Sequence, residues 1–251
     1  MINIRSRQEI EQMRQAGVIV AEVHDLMKQM VRPGITTIEL DEAAEAHIRT
    51  RGGVPAFKGY GGFPASICSS INHQVVHGIP GQVQLVEGDM ISIDTGVQLN
   101  GYFADAAKTY PVGTISTQTQ RLIDITRNSF YEGIRYAREG YRLSDISHAI
   151  QAYVEAAGFS VVRNYVGHGI GTALHEEPQI PNFGLPGKGP RLKSGMVLAI
   201  EPMINQGTYH VNVLSDGWTV VTADGERSSH HEHTIVITDG EPDLLTVLNA
   251  G

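Results

Sequence analysis

Asp94 and Asp105 flank the turn signal Asn100-Gly101 in a stretch that opens at Gly88. Both residues of an Asn-Gly pair take φ > 0 at low cost, which closes a two-residue hairpin whose twist matches its strands. With Ile91, Ile93 and Val97 as strand formers, this turn sets Leu99 opposite Tyr102, Gly96 opposite Asp105 and Asp94 opposite Ala107. Side chains alternate with period two, so the two aspartates become diagonal neighbours on one face, roughly 7–8 Å apart. Carboxylates placed that way repel unless a cation or a shared proton lies between them. On the hairpin alone, the alternative is a pair of solvated acids on an exposed sheet face.

Three further residues extend the set. His168 has glycine on both sides, in Gly167-His168-Gly169, so the backbone there turns sharply enough to present an imidazole to a crowded site. Taken alone it also fits a surface loop. Glu201 and Glu232 complete a group of hard donors: Asp94, Asp105, His168, Glu201 and Glu232. One imidazole with four carboxylates suits two divalent ions of the Mn, Fe or Co kind better than a structural Zn site, which prefers Cys and His. Two ions ~3.5–4 Å apart share a water, lower its pKa and clamp a tetrahedral intermediate. Without cations the acids repel, so lowering the pH is predicted to relieve that strain as it releases the ions. Motifs for other chemistries are missing. There is no Gly-x-Ser-x-Gly and no His-Glu-x-x-His, and Cys68 has no CxxC partner. Gly187-Lys188-Gly189-Pro190 lacks the Ser or Thr of a P-loop, and Gly167-His168-Gly169-Ile170-Gly171 lacks a dinucleotide frame.

The elements that must position these residues follow from periodicity and caps. Apolar positions at three and four predict a helix from Arg7 to about Met30, stopped by Arg32-Pro33-Gly34. Thr36 with Glu39 is a capping box that opens a second helix, ending at Gly52-Gly53. A Gly- and Pro-rich loop (55–64) leads to strands predicted at 65–70 and 74–77 and to the acid hairpin. Two more helices are predicted over 117–139 and 144–157, the latter capped by Ser144. Strands are predicted at 160–166, 196–204, 208–213, 218–221 and 234–238.

Half of this pattern repeats. Arg32-x-Gly34 recurs as Arg138-x-Gly140 and Gly52 as Gly158, both offset by 106 (138 − 32). Leu85-x-x-Gly88 with Asp94 recurs as Leu192-x-x-Gly195 with Glu201, offset by 107 (201 − 94). Four matches in register imply two pseudo-twofold αβ halves, about 1–112 and 113–251, in a single domain. Asp94 and Glu201 would then occupy equivalent positions and face one another. Glu232 falls farther along, because the span from Asn205 to Ser229 with its two Asp-Gly turns adds length to the second half.

Composition narrows the function classes. A net charge of −8 argues against a dedicated nucleic-acid groove, which needs clustered Lys and Arg. A single cysteine excludes an intrachain disulfide and suits a reducing compartment. No signal-peptide h-region and no apolar run of ~18 residues is present, so a cytoplasmic protein without a membrane partner is expected.

An ordered set of segments carries a resemblance over essentially the whole chain. They are Val76-His77-Gly78-Ile79-Pro80, Ile93-Asp94 with Ala104-Asp105, Gly167-His168-Gly169-Ile170-Gly171, Leu174-His175-Glu176-Glu177-Pro178, Ile200-Glu201-Pro202-Met203, Asp216-Gly217-Trp218 and Glu232-His233-Thr234. Singly weak, together they resemble the type I methionine aminopeptidases. The resemblance implies the α/β (α+β) pita-bread fold: two related halves sharing a curved, largely antiparallel sheet with helices on the outer face. It implies removal of the initiator methionine when the next residue is small, with two divalent ions (Co, Mn or Fe, with Zn an option) as cofactors. By the family pattern Asp105 and Glu232 bridge the ions, Asp94 binds one, and His168 and Glu201 bind the other. His77 and His175 are the non-ligand histidines at the substrate, and Glu201 doubles as proton carrier. Tyr60, Phe63, Cys68, Leu174 and Trp218 are the methionine pocket. The implied partner is the N-terminus of a nascent polypeptide, met at the ribosome, and a monomer is expected, with no specific nucleic acid.

Departures from the pattern are Thr95-Gly96 after the first aspartate and His230-His231 before Glu232. The two histidines are expected to be solvated or at the cleft rim, the alternative being that either is a stray metal ligand. Rival readings are a proline-specific dipeptidase or creatinase of the same fold, and a non-catalytic binding protein that kept the fold. The first usually carries an additional N-terminal domain, for which no room is left before Arg7. The second predicts gaps in the five-residue set, which is complete.

Overall fold

The computed structural model describes residues 2–248. Four helices, α1 (Arg7–Met30), α2 (Thr37–Thr50), α3 (Thr117–Ile134) and α4 (Leu143–Ala156), pack against antiparallel strands. The helix starts follow local chemistry. Ser6 with Glu9, and Thr36 with Glu39, form reciprocal capping boxes, each satisfying two amides that the first turn leaves free. The apolar face of α1, from Ala16 to Met27, packs with Leu40, Ala44 and Ile48 of α2 onto the back of the acid hairpin at Ile91, Ile93, Val97 and Ala104. In the second half, Phe130 of α3 and Ile146, Ile150 and Val154 of α4 cover Leu198, Ile200, Ile204 and Ile235. Each fully buried side chain of this kind contributes roughly 1.5–3 kcal/mol.

Hydrogen bonds reproduce the internal repeat. Leu85 N–H donates to Ile35 C=O (2.9 Å), and 107 residues on Leu192 N–H donates to Tyr141 C=O (3.0 Å). Thr37 N–H to Val83 C=O is matched by Leu143 N–H to Pro190 C=O, and Gly88 N–H to Val112 C=O by Gly195 N–H to Ile237 C=O. The paired glycines share backbone angles: φ is +90° at Gly34 and +93° at Gly140. Those left-handed values are why glycine stands at both.

The structure differs from the periodicity reading where tertiary pairing intervenes. Helix α3 ends at Ile134 rather than near Glu139, because the chain leaves the helix to join Thr238: Glu139 N–H donates to Thr238 C=O at 3.0 Å. Helix α4 opens on Arg142 rather than Ser144, with Asp145 accepting the Arg142 amide at 2.8 Å. The strand expected over 196–204 is two, Val197–Ile200 and Met203–Asn205, divided at Glu201-Pro202, where proline offers no N–H to a ladder. The strand expected over 160–166 is only Ser160–Val161. Among the described residues the strands fall into four antiparallel sheets, the largest being the hairpin with its neighbours and a five-stranded group around Val197–Ile200.

Candidate metal centre

The hairpin strands Met90–Leu99 and Tyr102–Pro111 pair in the register counted from the turn: Leu99 with Tyr102, Gly96 with Asp105 and Asp94 with Ala107. The turn residues Asn100 and Gly101 have φ of +51° and +84°. Far from being solvated, Asp105 is 3 % exposed. Cys68 pairs with Asp94 from the neighbouring strand Ile67–Ile71.

His168 lies on the short strand Gly167–Gly169, paired with Ala199 on one side and Gln179 on the other. Its glycine neighbours have a packing reason: a Cβ on Gly167 would sit 2.4 Å from the Ala199 carbonyl oxygen, and one on Gly169 2.2 Å from that of Glu177. The ring is buried rather than looped out. Its Nδ1–H donates to Gly169 C=O at 2.9 Å, which fixes the tautomer and leaves Nε2 as a bare lone pair. That nitrogen stands 3.6 Å from Asp105 Oδ2 and 3.5 Å from Glu201 Oε1. Glu232 enters from the adjacent turn, its amide donating to Ala107 C=O of the hairpin at 2.8 Å. Asp105, His168 and Glu232 each offer a donor atom within 4.8 Å of the others.

The electrostatics call for protons or a cation among the acids. Burial pushes the Asp105 carboxyl up to about 6, and burial together with neighbouring acids drives Asp94, Glu201 and Glu232 well above the ordinary range. Burial lowers His168 to about 4, keeping it neutral as a ligand must be. Asp94 Oδ1 and Glu232 Oε1 are buried with no hydrogen-bond partner among the described residues. Thr234 Oγ1 holds Asp105 from behind, taking its amide at 3.1 Å and donating to its carbonyl at 2.8 Å. Orphaned acid oxygens facing a bare imidazole nitrogen fit divalent metal ions.

A cavity of about 190 Å³ opens on this cluster. Asp94 and Glu201, equivalent in the repeat, both line it. Its apolar end is formed by Phe57, Phe63, Cys68, Leu174 and Trp218, the last meeting Phe63 edge to face at 5.2 Å. Tyr60 closes one side, with its hydroxyl 2.9 Å from His175 Nδ1. The His175 ring is open to the cleft on one side and packs 4.2 Å from the His168 ring on the other. His77, at the left-handed φ of +60° that ends the strand Gln74–Val76, stands edge-on to Tyr165 and Trp218. The Leu174-His175 loop is tied down by Glu176, which accepts from the Thr172 and Ala173 amides and pairs with the buried Arg5 guanidinium at 2.6 Å.

The structure brings together every residue singled out by spacing or resemblance, and adds Phe57. The signal for Phe57 was Gly96: a Cβ there would stand 2.7 Å from the Phe57 ring, so the glycine after Thr95 makes room for a pocket wall. The expectation for His230-His231 is corrected. Both are buried, His230 on the strand Ser228–His230 and His231 against Phe130 at 5.4 Å, because this strand pairs with Met203–Asn205 under the cover of α3.

Comparison with known proteins agrees with this geometry. Residues 11–239 match the model of metallopeptidase family M24. A methionine aminopeptidase of Clostridium perfringens is 56% identical over 248 residues, covering 99% of this chain and 100% of that protein. The crystal structure of methionine aminopeptidase from Rickettsia prowazekii superposes with a TM-score of 0.97 at 42% identity, covering 98% of this chain and all of that one. A prolidase from Pyrococcus furiosus matches with a TM-score of 0.79 at 21% identity, the chain spanning 66% of its length, a likeness of fold alone. The pita-bread architecture and the metallopeptidase class expected from the sequence hold, and the chain belongs to metallopeptidase family M24, among its methionine aminopeptidases.

Proposed function

We propose that this chain, acting as a single metallo-aminopeptidase domain, removes the initiator methionine from nascent proteins whose second residue is small. The observation that carries this reading is an apolar pocket ending directly at the buried acid–histidine cluster. On this reading Asp105 and Glu232 would be shared by two divalent ions (Co, Mn or Fe, or Zn), Asp94 would hold one of them, and His168 and Glu201 would hold the other. Ions held there supply Lewis acidity, lowering the pKa of water and polarising the scissile carbonyl.

The chain's own groups do the rest. Phe63, Cys68, Leu174, Trp218 and Tyr60 enclose a thioether side chain and exclude water from it. Glu201, its carboxyl raised by burial, takes a proton as water adds to the carbonyl carbon and returns it to the departing amine nitrogen. His175, held neutral by burial with a pKa of about 4, donates to the carbonyl oxygen as charge grows on it. His77 borders the substrate from the opposite wall. The encounter partner is the free N-terminus of a polypeptide at the ribosome, and the enzyme works as a cytoplasmic monomer. Among the described residues no helix is long and apolar enough to cross a membrane.

Hydrolysis of Met-Ala-Ser against an X-Pro dipeptide tests the proposal, with metal restored after chelation. Release of methionine, lost with chelator and regained with Mn or Co, is the expected result. Preference for the X-Pro dipeptide would transfer the chain to the proline-specific branch, and no hydrolysis of either would leave a binding protein.

His175→Ala is expected to lower kcat by about 10²–10³, on the order of 3–4 kcal/mol, while bound metal stays at the parental level. Tyr60 already occupies its Nδ1, which fits a hydrogen-bonding rather than a ligand role. Measuring kcat and metal on one preparation decides: metal lost in step with rate makes His175 a ligand, and an unchanged kcat removes it from catalysis.

A further inference from the structure

His230 is a buried polar residue that the reaction as described does not use. Its Nε2 is buried with no hydrogen-bond partner among the described residues. A buried nitrogen left in that state costs about 1–3 kcal/mol and calls for an explanation. The acceptor it faces is Glu201 Oε2, at 3.9 Å. The other oxygen of the same carboxylate, Oε1, faces His168 Nε2 at 3.5 Å. The two oxygens of Glu201 are thus divided between two imidazoles, one on each side.

The backbone of His230 is held rigidly for such a task. Thr109 Oγ1 accepts the His230 amide at 3.0 Å and donates to its carbonyl at 2.8 Å. Ser92 and Ser229 reach the same Thr109 hydroxyl at 2.8 and 3.0 Å. Ser92 and Thr109 belong to the hairpin that carries Asp94 and Asp105, so His230 is fixed in the frame of the acids and not to a loose edge.

We propose that His230 is a positioning residue: its Nε2–H closes onto Glu201 Oε2 when the ions are bound and presents Oε1, as a one-oxygen ligand, to the ion shared with His168. This rests on the reading of Glu201 as a metal ligand. Partners behind metal ligands set ligand orientation, and their loss typically weakens metal binding about 10–100-fold.

Calorimetric titration of chelated protein with Mn(II) tests it. The parent is expected to take up two ions. His230→Leu should bind one of the two ions about 10–100-fold more weakly, whichever is taken up first, and the other with parental affinity. His230→Gln, which keeps an N–H at similar reach, should recover most of the loss. The visible spectrum of the Co(II)-loaded protein should change in His230→Leu and return toward the parent in His230→Gln. Parental affinity for both ions together with an unchanged Co(II) spectrum in His230→Leu overturns the proposal. If the parent itself takes up no second ion, the ligand reading fails first and this inference goes with it. Should His230→Leu not fold, the parent decides the matter. In ¹⁵N-histidine spectra of the Zn(II)-loaded protein, with His230→Gln identifying the signal, Nε2 must carry a proton and its N–H must shift downfield on loading. A bare Nε2 there overturns the assignment.

Discussion

Glu232→Ala and Asp105→Ala are each expected to bind at least one divalent ion fewer than the parent and to lose measurable hydrolysis. A carboxylate shared by two ions neutralises both, so its removal leaves one ion under-liganded and the other facing uncompensated charge. Glu232 is 2 % exposed, and its Oε1 has no hydrogen-bond partner among the described residues. Its anchoring runs through the backbone, the amide to Ala107 C=O, which alanine retains. Metal-free Glu232→Ala should therefore be at least as stable as the metal-free parent, since one of four crowded acids is gone. Asp105→Ala differs, because Asp105 Oδ1 also accepts from Thr234 Oγ1 at 3.2 Å, and losing that bond costs about 1 kcal/mol more. Metal analysis and a urea midpoint on the same samples separate ion loss from unfolding. Two tightly bound ions in either variant would refute the bridging assignment.

The stabilisation provided by metal should grow as pH rises from 5 to 8. Asp105, lifted to about 6, and Asp94, Glu201 and Glu232, lifted further, have folded pKa values above their unfolded ones. Their contribution to the metal-free fold is fully present below the unfolded values near 4 and is lost as pH rises through the folded ones. For Asp105 alone that loss is on the order of 3 kcal/mol. Ions replace the protons and cancel the loss, adding RT ln(1 + [L]/Kd) on top. Acid relieves the crowded carboxylates, as expected from the sequence, but buried histidines oppose that relief. His24, His230, His231 and His233 have pKa values depressed by burial, and the stability they contribute is lost as pH falls below about 6.5. For His24, His231 and His233, which hold none of the assigned ligands, the effect is common to metal-free and metal-loaded protein and cancels in the difference. Melting temperatures with chelator and with saturating Mn at pH 5, 6.5 and 8 supply the test. A gap that stays constant with pH, or no gap at all, contradicts a shared carboxylate site.

How much of this could be seen beforehand depended on whether the cause was local. The hairpin register was legible because Asn100-Gly101 permits one closure, and a one-residue slip would have put both aspartates on the wrong face. The Thr36–Glu39 cap and the glycines at 34 and 140 were legible for the same reason, each being its own structural cause. The repeat made Asp94 and Glu201 equivalent, but nothing in spacing told how far His168 and Glu232 lie from them. That distance is set by the pairing of His168 with Ala199 and by the Glu232 amide on Ala107. His230 and His231 were misjudged because two adjacent histidines read as polar surface, while their burial comes from α3, a hundred residues earlier in the chain. The end of α3 itself was lost to Thr238, a partner equally remote. Phe57 went unnoticed because its only trace is an absence, the missing side chain at Gly96.

The bond from the Glu232 amide to Ala107, with the Thr109 grip on His230, bears on when activity first exists. A growing chain makes the hairpin early and the strand that carries His230 late. Until that strand arrives, Asp94 and Asp105 form an open acidic face with α1 and α2 already able to cover its back. A copy that stops short of that strand therefore lacks Glu232 of the five assigned residues and the contacts that fix the others in place. Such a fragment is silent as a peptidase, and hydrolytic power switches on in one late step of biosynthesis rather than accumulating with length.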